Sequence, residues 1–299
     1  MSRFGAVLTA MVTPFGEDGS LDLDAAAELA RWLVANGSDG LVVAGTTGEG
    51  PVLTDPERMD LLAAVCRAVT VPVVANTGSN DTAHSIELSR QAAGLGAAGC
   101  LVVTPYYNRP SQAGIEAHFT TVAAATELPV LVYDIPIRTG RKISHEVLVR
   151  LARDVPNVVG VKDAAADVAA TARLAAAVPD FDIYSGNDDL ILAMLALGAV
   201  GVVSVASHWA GHHFGEMIAA FVKGDVLGAR QINNQLMESY AFEASDNTPN
   251  PMPAKAMMRV LGHPVGECRL PLGAAPAGLD DQARRVLAGL SAAAPAEAR

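Results

Sequence analysis

Residues 71–104 read VPVVANTGSNDTAHSIELSRQAAGLGAAGCLVVT, and this stretch decides the fold. It holds two short apolar, β-branched runs, 71–75 and 100–104, on either side of a segment with helical spacing, 82–95. Branched side chains suit extended backbone. A run that is apolar throughout, rather than alternating, belongs to a strand covered on both faces, as in a parallel sheet. Strand, helix and strand in that order therefore predict one βαβ unit. Working outward, the same unit recurs along the chain, with strand candidates at 6–12, 40–44, 130–134, 158–162, 182–185 and 200–205 and helix candidates including 24–36, 56–69 and 112–126. Asp22 and Asp55 stand where side chains cap the first two of these helices. Eight strands at intervals of about 25 residues predict a closed (β/α)8 TIM barrel, with an open doubly wound sheet as the alternative.

The remainder of the chain predicts helices at 209–222, 227–242 and 254–261. We read 1–223 as the barrel and 224–299 as a C-terminal helical region. Only the turn Lys223-Gly224-Asp225 separates them, so the helical region is expected to pack directly on the barrel or a neighbouring subunit. The Ala-rich residues 291–299 are expected to fray.

The chain has 299 residues, 21 Lys+Arg, 32 Asp+Glu and a formal charge of −11, with 51% hydrophobic residues. That balance argues for a folded, enzyme-sized protein and against a nucleic-acid binder, which needs a basic face, or a protein held on an anionic membrane. Cys66, Cys100 and Cys268 are odd in number and widely spaced, which excludes a disulfide framework and points to a reducing cytoplasm. The apolar stretch 4–12 resembles a signal peptide but runs into Thr13-Pro14, and 190–206 is interrupted by Gly198, Gly201 and Ser204. Neither is expected to be a targeting or membrane segment.

Barrel enzymes carry their chemistry at the carboxyl ends of the strands. The polar groups there are Gly45-Thr46-Thr47-Gly48-Glu49, Tyr106-Tyr107-Asn108, Tyr133-Asp134 with Arg138 beyond, and Lys162-Asp163. Lys162 alone among the lysines ends an apolar strand. An amine in an apolar barrel mouth has its charged form disfavoured, which frees a lone pair for attack on a carbonyl and formation of a Schiff base. A buried Lys–Asp ion pair or a phosphate-binding lysine are the alternatives. Thr46 and Thr47 in a glycine-bounded turn offer hydroxyls and backbone N–H groups to a small carboxylate, or simply cap the next helix. Tyr106, Tyr107 and Tyr133 offer phenols for proton transfer.

Three patterns are set aside. Gly94-Leu-Gly96-Ala-Ala-Gly99 matches a dinucleotide fingerprint but lies between a helix and the next strand, the wrong order for pyrophosphate binding. The turn 45–50 lacks the ending of a triphosphate-binding loop. His208, His212 and His213 lack the glutamate of a zinc-protease helix, so no metal is expected.

The segments GTTGE (45–49), TPYYNRP (104–110), YDIPIRTG (133–140), GVKD (160–163) and YSGND (184–188) together resemble the dihydrodipicolinate synthase / N-acetylneuraminate lyase family over residues 5–271. The resemblance implies a pyruvate-dependent class I aldolase on a (β/α)8 barrel, without cofactor or metal. It implies Lys162 as the Schiff-base lysine, Tyr133 as the proton-shuttling phenol, and Thr46 and Tyr107 as the rest of a relay. The matching Tyr107 comes from the neighbouring subunit of a dimer, so a homo-oligomer, dimer or tetramer, is implied. Thr46 and Thr47 match the group that receives the pyruvate carboxylate, Gly186 and Val203 line the same pocket, and Arg138 holds the carboxylate of the second substrate.

The Thr46-Thr47 pair, the double tyrosine and Arg138-Thr139-Gly140 favour the synthase branch, with pyruvate and L-aspartate 4-semialdehyde as substrates in lysine and diaminopimelate biosynthesis. A related aldolase acting on another aldehyde, or on a sugar-derived 2-oxo acid, is the alternative. Asp134, Ile137 and Asp163 depart from the residues frequent in the family, and Ile137 is the departure expected to alter the second-substrate pocket. Asp55, Arg58 and His84 stand where lysine-inhibited members carry two histidines and a glutamate, while Asn80 and Tyr106 keep that pattern, so weak or absent inhibition by lysine is expected.

Overall fold

The computed structural model describes residues 2–292. Eight parallel strands close into a barrel in chain order. They are β1 Val7–Ala10, β2 Gly40–Val43, β3 Val73–Asn76, β4 Gly99–Val103, β5 Val130–Asp134, β6 Val158–Asp163, β7 Asp182–Ser185 and β8 Gly201–Ser204. β8 returns to β1 with Leu8 opposite Val203, so the closed barrel holds and the open sheet does not. β3 starts later than its apolar run because Pro72 has no N–H to give; its carbonyl instead accepts from Leu41 N–H at 3.0 Å.

Alternation along each strand sends every second residue inward. Leu8, Val42, Val74, Leu101, Leu131, Tyr184 and Val203 fill the barrel interior, and Phe4, 1% exposed, plugs its amino-terminal end. Gly99 makes room for that plug, since a Cβ there would lie 2.7 Å from Phe4 Cζ. Outward residues such as Leu41, Val73 and Val202 pack against the helices.

Helix Leu23–Ala35 begins as expected, with Asp22 Oδ1 accepting Ala25 N–H at 2.9 Å. The next helix, Asp55–Ala68, corrects the expectation that Asp55 caps it. Thr54 is the cap, in a reciprocal capping box with Glu57, and Asp55 is the first helical residue. The carboxylate of Asp55 is turned to His84 Nε2 at 3.0 Å.

After β8, helix Ser207–Val222 packs back on β1, with Ser207 Oγ 2.7 Å from Thr9 Oγ1. The expected helix at 227–242 is two, Val226–Gln235 and Met237–Phe242, meeting at Leu236, whose N–H is shared between Ile232 and Asn233 carbonyls. Met252–Val260 follows, and then Leu279–Ala292, which sequence reading missed. Met257, Met258, Val265 and Leu279 join the same apolar cluster as Met11, Phe15 and Leu53. The helical region thus packs directly on the barrel. Of the segment expected to fray, Ser291 and Ala292 end the last helix and 293–299 lie outside the described residues. Among the described residues no helix is long and apolar enough to cross a membrane.

Candidate active site

Strands β5 and β6 place Tyr133 opposite Lys162, and β6 and β7 place Lys162 opposite Tyr184. Partners in register share a face, so Lys162 projects into the barrel. Its residue is 7% exposed and its Nζ lies 4.4 Å from the centroid of the Tyr133 ring. Gly186 follows β7 and lies against the same lysine. A Cβ there would stand 3.1 Å from Lys162 Cε and 2.7 Å from Ala164 Cβ, so only glycine leaves the lysine stem its present course.

The next residues, Asp134 and Asp163, are also opposite one another and face outward. Asp134 accepts Ile143 N–H at 3.2 Å and lies 3.9 Å from Lys142 Nζ. Burial pushes its carboxyl up to about 7, with Asp163 adding to the rise and Ile143 and Lys142 opposing it. Asp163 accepts Thr171 Oγ1–H at 2.7 Å and Ala165 N–H at 3.0 Å. The pair thus anchors the backbone that follows Tyr133 and Lys162 from outside the barrel. Asp188, of the YSGND segment, does the same for β8 by accepting Ser204 Oγ–H at 2.7 Å and Ala206 N–H at 2.8 Å.

A cavity of about 340 Å³ opens at the carboxyl end of the barrel, and its walls include Thr46, Tyr107, Tyr133 and Arg138. The structure therefore brings these four sequence-derived residues, and with them Tyr106, to one space. Lys162, Thr47, Gly186 and Val203 are outside its lining; Lys162 lies against Tyr133, which forms part of the wall. Val203 is 1% exposed among the interior apolar side chains. Ile137 is 90% exposed and also outside the lining, so it turns away from the space it was expected to alter.

Thr47 is buried, and its Oγ1 accepts Asn250 Nδ2–H at 3.0 Å. The turn that carries it is held by Gly50 N–H on Gly45 O at 2.9 Å and Thr13 Oγ1–H on Gly48 O at 2.6 Å. Tyr107 sits in a left-handed backbone conformation, φ 67°, and is 90% exposed. Its turn is braced through Asn108, whose Nδ2 donates to Asn80 O at 2.8 Å.

Asn76 was missed by sequence reading, and Arg58 and Glu49 take places here that it did not assign. Asn76 lines the cavity and donates to Ala44 O at 3.0 Å. It ends β3, so inspection of strand ends finds it once the strand is extended past Ala75. Arg58 also lines the cavity; it is 8% exposed, donates to Gly50 O, and its Nη1 has no partner among the described residues. Glu49 forms an ion pair with Lys255 at 2.7 Å, both side chains being 1% exposed. That contact joins positions far apart in sequence, and no local pattern announces it. His208 is a core residue: it is fully buried, its Nε2 accepts Val12 N–H at 3.1 Å, and burial pushes it down to about 4.

Fold and site together define a (β/α)8 barrel whose mouth presents a buried strand-end lysine under a tyrosine, beside an arginine-bearing cavity. The chain belongs to the Dihydrodipicolinate synthetase family, whose model matches residues 3–289. It is 50% identical over 273 residues to a 4-hydroxy-tetrahydrodipicolinate synthase of Moorella thermoacetica, covering 90% of this chain and 92% of that one. A protein of the same name from Acidothermus cellulolyticus is 52% identical over 271 residues, covering 90% and 87%. Among solved structures, DHDPS from Cyanidioschyzon merolae with lysine bound superposes with a TM-score of 0.94 at 43% identity, covering 97% of this chain and 99% of that one.

Proposed function

We propose that this chain condenses pyruvate with L-aspartate 4-semialdehyde to 4-hydroxy-tetrahydrodipicolinate, as a class I aldolase of lysine and diaminopimelate biosynthesis. The observation that carries the reading is Lys162, inward-facing on β6 with its Nζ 4.4 Å from the Tyr133 ring. Its amine attacks the pyruvate ketone, the carbinolamine hydroxyl leaves as water with a proton delivered through Tyr133, and a protonated imine results. The imine is an electron sink, so a methyl proton is lost and an enamine forms. The enamine carbon attacks the semialdehyde carbonyl, whose oxygen takes up a proton. The semialdehyde's amine then adds to the imine carbon and displaces Lys162, which closes the ring and restores the free amine. No cofactor or metal takes part.

In this reading Thr46 and Tyr107 continue the proton path, Thr46 and Thr47 receive the pyruvate carboxylate, Gly186 and Val203 shape that end of the pocket, and Arg138 forks onto the carboxylate of the semialdehyde. Tyr107, 90% exposed, is presented to a second copy, so the working form is a homo-oligomer, dimer or tetramer. In this division residues 1–223 form the catalytic barrel and 224–299 the C-terminal region, whose described part, up to 292, buttresses it. The free thiols of Cys66, Cys100 and Cys268 suit the cytoplasm. Steady-state turnover of pyruvate with the semialdehyde, set against sugar-derived and glyoxylate-type aldehydes, tests the assignment. Preference for the semialdehyde is expected; preference for another aldehyde would transfer the chain to a different aldolase reaction.

A further inference from the structure

The turn that carries Thr46 and Thr47 is held from the far end of the chain. Asn250 Nδ2 donates to Thr47 Oγ1 at 3.0 Å. Two residues beyond that turn's Thr47, Glu49 has left-handed backbone, φ 53°, and its carboxylate meets Lys255 Nζ at 2.7 Å and accepts Arg269 N–H at 2.8 Å. Lys255 Nζ is fixed in turn by donating to Glu267 O at 2.9 Å. The helical region therefore grips the turn at both Thr47 and Glu49, and the turn cannot shift relative to Asn250 without breaking a buried ion pair.

A threonine hydroxyl has one proton to give and two lone pairs to receive. Because Thr47 Oγ1 already accepts from an amide N–H, its own proton points elsewhere. Thr47 is 3% exposed, the hydrogen bond from Asn250 is the one its hydroxyl makes among the described residues, and Asn250 Oδ1 is itself buried there without a partner. A buried donor left unspent costs stability unless a ligand supplies the acceptor. Were the Asn250 carbonyl oxygen facing Thr47 instead, the hydroxyl proton would be consumed there and unable to serve a ligand.

We propose that Asn250 is a positioning residue that sets the Thr47 hydroxyl as an obligatory hydrogen-bond donor to the carboxylate of the 2-oxo acid substrate. The inference rests on the pyruvate-aldolase reading of the site and adds the residue that determines the direction of one of its hydrogen bonds. It predicts that Asn250 acts on pyruvate and not on the aldehyde, and that it acts only through Thr47.

The test measures KM and kcat for each substrate, and the pyruvate dependence of the borohydride-trapped adduct, in the full chain carrying Asn250→Ala, Asn250→Asp, Asn250→Ser, Thr47→Val and the Asn250→Ala/Thr47→Val pair. Loss of one hydrogen bond to a charged group raises KM for pyruvate by about 10- to 100-fold. Asn250→Asp, which reverses the hydroxyl and adds a negative charge, is expected at the upper end; Asn250→Ala lies lower and Asn250→Ser recovers part of the loss. KM for the semialdehyde stays at its wild-type value, and Asn250→Ala adds nothing in the Thr47→Val background. Thermal melting accompanies each variant, and Asn250→Ser carries the comparison if the Asp variant does not fold. Unchanged pyruvate KM in the folded Asn250 variants, equal losses for both substrates, or additive losses in the pair would overturn the proposal. A wild-type protein that traps no pyruvate would instead overturn the aldolase reading beneath it.

Discussion

Replacing Gly186 by alanine perturbs the lysine without touching any polar group. The new Cβ would lie 2.7 Å from Ala164 Cβ and 3.1 Å from Lys162 Cε. Carbon atoms settle at about 3.5–4.0 Å, so roughly 1 Å of movement has to be found between the end of β6 and the lysine stem. The end of β6 is pinned, because Gly186 N–H donates to Asp163 O at 2.8 Å and Asp163 is itself tied to Thr171. The lysine stem yields, and its amine is displaced from the carbon it must attack. A displacement of about 1 Å costs roughly 100-fold in rate, whereas overpacking costs about 1–3 kcal/mol of stability. The assay is single-turnover formation of the borohydride-trapped pyruvate adduct, with thermal melting alongside. Adduct formation about 100-fold slower in a folded protein is expected. Gly94→Ala serves as control, since a Cβ there meets nothing within 4 Å. A Gly186→Ala protein that forms adduct at the wild-type rate would refute the placement of Lys162 against Gly186.

Four other outcomes follow from the same geometry. Lys162→Ala folds and loses both adduct and condensation, as a discontinuous product assay reads directly. Arg138→Ala raises KM for the semialdehyde by roughly 10- to 100-fold while leaving pyruvate trapping intact; equal damage to both substrates would remove Arg138 from its assigned role. Asp134 holds its proton in the folded state up to about pH 7 but has an ordinary value of 3.8, so the native state binds the extra proton between these limits. Stability therefore falls as pH rises through that window and levels above it, by at most about 4 kcal/mol. Denaturant unfolding of Asp134→Asn should show that slope flattened, and an unaltered slope would place its origin elsewhere. Lysine at low millimolar concentration inhibits weakly or not at all, because Asp55 is paired with His84 at 3.0 Å and Arg58 lines the cavity beside Tyr106. A clear inhibition curve would show a regulatory site rebuilt from these residues.

The strands were legible because a sheet buried on both faces needs uninterrupted apolar runs, and such runs stand out wherever they recur. Lys162 was legible for the same reason, as a charged residue ending one of them. The last helix was not, because 279–292 lies among Ala- and Gly-rich residues that blur its boundary, although Leu279, Ala283, Val286 and Leu290 share its buried face. The cap at Thr54 was hidden by two adjacent residues that both suit a cap, and only the return contact from Glu57 selects between them. Asn250 and Lys255 escaped sequence reading for a deeper reason. Their partners, Thr47 and Glu49, are about 200 residues away, and contacts made by tertiary folding leave no local pattern. Ile137, read from the sequence as the family departure that bears on the second-substrate pocket, is 90% exposed, because it and Arg138 point in different directions from one short turn.

The central claim is that Lys162 carries the substrate covalently, and intact-protein mass after borohydride reduction with pyruvate tests it most directly. The account predicts a single irreversible pyruvyl adduct that peptide digestion maps to Lys162, and that disappears when L-aspartate 4-semialdehyde is supplied before the reductant. No adduct, or an adduct mapped to Lys142, Lys223 or Lys255, would contradict it.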